Sequence, residues 1–103
     1  MDDHVARCHL VASVLAADGR VTPDERAFLN QMMQSLGLDA NQQDEVMHFE
    51  GADEAIAQVR NLPVESRRIV LDEVVQAALA DGKLGALEMA VVQRITAALA
   101  LDN

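Results

Sequence analysis

The residues with the clearest chemical potential in this chain form two short acidic motifs of one pattern. Asp18-Gly19 is followed by Val21 and Glu25, and Asp81-Gly82 is followed by Leu84 and Glu88. Both copies read Asp-Gly-x-aliphatic-x-x-x-Glu. This is the spacing of the second half of an EF-hand loop, with Asp at position 5, Gly at 6, an aliphatic residue at 8 and Glu at 12. A calcium loop also needs oxygen donors at its positions 1 and 3. Those positions hold Val14 and Ala16 in the first copy and Ala77 and Leu79 in the second, so neither copy is an EF-hand.

Two readings of the motif remain. In the first the acids are structural. Glycine takes the left-handed backbone that ends a helix, the aliphatic residue pins the turn to the core, and Glu caps the next helix and suits its positive end. Gly85 stands where the first copy has Thr22, so the second copy keeps only half of that cap. In the second reading Asp18, Glu25, Asp81 and Glu88 hold a divalent cation such as calcium or magnesium, for which carboxylate oxygens are suited hard donors. That reading requires the fold to bring the two turns together.

Other candidates are weaker. His4 and Cys8 are four residues apart on one helix face, with His9 beside Cys8, which is at most half of a tetrahedral soft-metal site. The plainer expectation is an exposed His4 near a helix start and a packed free Cys8. Asp2-Asp3-His4 would form an amino-terminal copper motif only if Met1 were removed, and His48 has no evident partner. Met32 and Met33 could line an adaptable groove, with Met32 the one that helical spacing sends to the core. Ser13, Ser35 and Ser66 lie in helical patterns without a nearby His, and no glycine-rich phosphate loop exists, so the expectation is a protein that is not an enzyme.

The elements that must position the acids are helices, because apolar residues recur every three or four positions almost throughout. A first helix is predicted over 3–17, burying Val5, Cys8, Ala12 and Leu15. Thr22-Pro23-Asp24-Glu25 opens a second, which runs to about Leu36, through a capping box with proline at the first helical position. Asp39 and Gln42 form another such box for a helix to about Phe49, with Val46 and Phe49 facing inward. A short helix is expected over 53–60. Pro63 opens a long one that ends near Asp81, and a last one runs over 86–101. The long helix is apolar on more than one face, through Ile69, Val70, Leu71, Val74, Val75, Ala78 and Leu79, which predicts that it is the central, buried helix. Leu87, Val91, Val92, Ile95, Leu99 and Leu101 form the stripe of the last.

Composition bounds the rest. The 103 residues suit one domain, and half are apolar with only Phe28 and Phe49 aromatic, which favours closely packed small and aliphatic side chains. The net charge of −9 repels phosphate backbones and anionic lipid, so nucleic acid is not an expected partner. One cysteine excludes an intrachain disulfide. No apolar run approaches the ~20 residues of a membrane span, and the start Met-Asp-Asp-His lacks a signal core. The expectation is a cytoplasmic protein without membrane insertion, whose partner can still be a membrane-associated protein.

Residues 17–39 also align without a gap on residues 80–102, with 8 identities in 23 positions. Two copies of one helix–Asp-Gly–helix hairpin are expected to pack about a pseudo-two-fold axis, since neither buries its apolar face alone. Ala-Ala-Asp-Gly-x-Val-x-x-x-Glu, repeated as Leu-Ala-Asp-Gly-x-Leu-x-x-x-Glu at two helix junctions, resembles the TerB-like (tellurite-resistance) family over nearly the whole chain. The resemblance implies an all-α bundle of about five or six helices. It also implies a link to tellurite resistance and stress responses, and metal binding through the conserved acids, here Asp18, Glu25, Asp81 and Glu88. The functional expectation is a non-enzymatic domain that binds a divalent cation through these turns. The alternative is a helical protein-interaction module in which the turns are caps and an acidic face meets a basic partner or a second copy in a homodimer.

Overall fold

Helix-start chemistry dictates most of the element boundaries. The computed structural model describes residues 1–80 and 85–101, and among these there are six helices and no strand. They are α1 (Asp3–Leu15), α2 (Pro23–Ser35), α3 (Ala40–Val46), α4 (Ala52–Arg60), α5 (Val64–Ala78) and α6 (Ala86–Ala98). Every predicted start lies within about one residue of the observed one; α4 ends at Arg60 as expected, while the other ends come one to three residues early, where helices fray into tighter turns. Asp81 and Gly82, expected at the end of α5, lie outside the described residues.

The caps form as their residue types require. The Thr22 hydroxyl accepts from the Glu25 amide at 3.2 Å while the Thr22 amide donates to the Glu25 carboxylate at 2.9 Å. Asp39 and Gln42 make the same reciprocal pair at 2.8 and 2.9 Å. The two halves of the internal repeat also end their second helices alike. Gly37 and Ala100, equivalent positions, both take positive φ, 75° and 59°. Leu38 N–H then donates back to the Met33 carbonyl and Leu101 N–H to that of Thr96, each at 3.0 Å. This closing bond satisfies carbonyls that a helix end leaves unpaired. Glycine suits the position in the first copy, and the second holds an alanine there against its preference.

The centre of the bundle is α1, which packs against all five other helices. Nine of its residues are buried, among them Leu10, Val11, Val14 and Leu15. This corrects the expectation that α5 is the buried helix. Only Val70, Val74, Ala77 and Ala78 of α5 are buried, whereas Ile69 is 58% and Leu79 44% exposed. The reason is that α5 packs mainly against α1 and α6, with smaller contacts to α2 and α4, and these neighbours leave Ile69 and Leu79 exposed. Leu87, expected in the stripe of α6, is likewise 57% exposed. In α2 it is Met33 that is buried, with Met32 half-buried beside the core.

Few polar ties cross between helices. Arg7 of α1 holds Glu73 of α5 in a two-pronged ion pair, with the Arg7 Nε donating at 2.8 Å. Arg67 of α5 donates to the Leu99 carbonyl at 2.6 Å, placing a cation at the negative C-terminal end of α6.

Candidate functional site: the acidic junction turns and a buried histidine

Glu25 and Glu88 lie at the third positions of α2 and α6, and each is bound to the start of its own helix. Glu88 accepts from the Gly85 amide at 3.3 Å, the counterpart of the Thr22–Glu25 bond. Both glutamates are buried, at 3% and 6% exposure. A buried carboxylate demands compensation, and the positive N-terminal end of a helix with its unpaired amides provides it. Asp18 is exposed at the α1–α2 junction, where its carboxylate accepts from the Arg20 amide at 3.0 Å. Gly19 follows with φ 80°, which closes the turn and needs a residue without a side chain. Asp81, the fourth acid of the expected cation set, lies outside the described residues. No three His, Cys, Asp or Glu side chains among the described residues are grouped so as to hold a metal ion.

The amino-terminal candidates separate. His4 is exposed and its Nδ1 faces the Arg7 guanidinium at 3.3 Å, while Cys8 is wholly buried in the core. Burial pushes the Cys8 thiol up to about 12, which keeps it protonated at neutral pH. His48 bonds its own helix, with Nδ1 at 2.8 Å from the Asp44 carbonyl.

One residue carries more than its sequence signal suggested. His9 is 3% exposed, and neither ring nitrogen has a hydrogen-bond partner among the described residues. Its ring lies against Gly51, the residue before α4, so closely that a Cβ there would meet Cε1 and Nδ1 at 2.5 Å. Around the ring a cleft of about 330 Å³ is lined by Met1, Glu45, His48, Glu50, Gly51 and Glu54. The available signal was positional. His9 stands four residues after Val5 and three before Ala12, on the apolar face of α1.

Burial holds the His9 imidazole below its usual 6.5, against the opposing pull of the Glu45 and Glu54 carboxylates. The folded chain therefore keeps a neutral ring where the unfolded chain takes up a proton. Stability from this residue is complete above pH 6.5 and declines as the pH falls below it, towards the lowered folded value. Urea unfolding at pH 8 and pH 5 should show a loss at the lower pH that is smaller in His9→Leu. An equal loss in both proteins would place the acid sensitivity elsewhere.

A family model described as "Tellurite resistance protein TerB" matches residues 4–103. No curated protein and no solved structure gives a match. No helix among the described residues is long and apolar enough to cross a membrane.

Proposed function

Because the chain belongs to the TerB family, we propose that it is a non-enzymatic helical interaction domain in which the acids of the two junction turns act as helix caps. The observation that carries this reading is the pair of glutamates, Glu25 and Glu88, each accepting from the N-cap amide at the start of its own helix. A carboxylate engaged in this way, and buried, has spent part of its acceptor capacity on the fold. The net charge of −9 makes a basic protein the matching partner and disfavours nucleic acid. A cytoplasmic setting, a membrane-associated partner and a homodimer are compatible with this proposal. A role in tellurite resistance or in a wider stress response enters through the family description.

A second reading, in which Asp18, Glu25, Asp81 and Glu88 bind a divalent cation, draws support from the burial of Glu25 and Glu88. Calcium and magnesium titrations followed by amide NMR separate the two. Under the cap reading the Gly19 and Gly82 amides should show no saturable shift at about millimolar ion, the range of weak calcium modules. Saturable shifts at both turns, abolished in Asp18→Ala/Asp81→Ala, would establish the cation reading instead.

A further inference from the structure

The cleft around His9 combines two features that are unusual together. Three carboxylates, Glu45, Glu50 and Glu54, line it together with His48 and Met1, and no lysine or arginine is among its described lining residues. Against them lies a buried imidazole whose nitrogens make no hydrogen bond among the described residues. A buried polar group without a partner costs free energy, and a fold that retains one holds an acceptor in reserve. A neutral imidazole offers one lone pair, and the surrounding carboxylates favour positive charge.

From the cleft lining and the unpartnered ring we infer that this is a docking site for a lysine side chain of a basic protein partner. This deepens the interaction-domain reading and rests on it. An ammonium carries three donors, which match one imidazole nitrogen and the carboxylates lining the cleft. Its long apolar stem lets the charged head reach into a cleft. A metal ion fits less well, because no three ligating side chains converge among the described residues. The site lies between the end of α3 and the start of α4, lined by none of Asp18, Gly19, Glu25 or Glu88. Its occupation would fix the Met47–Gly51 connection, where Phe49 sits at positive φ, 59°.

The test uses a blocked Gly-Gly-Lys-Gly-Gly peptide, its norleucine counterpart and zinc chloride, with His9 ring and Gly51 amide signals read by NMR. The lysine peptide should give saturable shifts at both positions and the norleucine peptide none. Glu45→Gln/Glu50→Gln/Glu54→Gln should weaken binding about tenfold, as expected for loss of several exposed charge contacts acting together. Asp24→Asn/Glu65→Gln/Asp72→Asn, which removes the same charge elsewhere, should change it by less than about twofold, the remainder being long-range attraction. Absence of a lysine response, or equal weakening in the two triple variants, overturns the proposal. A stoichiometric zinc response at His9 also overturns it, by making the cleft a metal site. None of these results moves the Gly19 and Gly82 signals that decide the cap reading, so the two can fail separately.

Discussion

Gly51→Ala should cost about 2–3 kcal/mol of stability, the scale of forcing an extra methyl into a packed interior. The backbone at Gly51, φ −100° and ψ 13°, is open to alanine, so conformational strain is not the cause. The obstacle is the His9 ring, 2.5 Å from the new Cβ. Moving that ring displaces a side chain that is itself almost wholly buried on the central helix. Gly51 also occupies the N-cap of α4 without a side-chain cap bond, and alanine is a poorer N-cap than glycine. Urea unfolding of a double-mutant cycle separates the two contributions. In a His9→Ala background the clash is gone, and Gly51→Ala should cost less than about 1 kcal/mol, the cap contribution alone. Equal costs in both backgrounds would show that the His9 contact is not what requires glycine.

Leu10→Ala should destabilise the protein by about 2–5 kcal/mol, while Ile69→Ala should stay within about 0.5 kcal/mol. The contrast follows from position. Leu10 is wholly buried on α1, which touches every other helix, so its removal leaves a cavity with walls from several elements. Ile69 is 58% exposed on the uncovered side of α5 and has little packing to lose. The midpoint shift in urea, at unchanged slope, measures both. Comparable losses at the two sites would return α5 to the centre of the bundle.

Both results turn on what a local pattern can encode. The capping boxes at Thr22–Glu25 and Asp39–Gln42 were legible because every bond in them joins residues three apart in the chain. The same holds for the repeat, whose two copies end in matching back-turned bonds at Leu38 and Leu101. The family was legible for a related reason: the Asp-Gly…Glu motif at two helix junctions is a local signature, and the family match extends over residues 4–103.

The long-range facts were not legible. Apolar content made α5 look central, yet a helix is buried by what surrounds it, and only the packed bundle shows that α1 has five neighbours. Met32 and Met33 are adjacent, so a rotation of α2 by one residue decides which reaches the core. His9 and Gly51 are far apart in the chain and meet only because α1 packs against the start of α4. By itself the sequence determined the helices, their caps, the duplication and the acidic balance, since each depends on neighbours along the chain or on composition alone. Tertiary structure decided which helix is central, which glycine lies against the His9 ring and where a buried imidazole borders a cleft lined by three carboxylates, because those depend on surfaces that exist only once the helices pack.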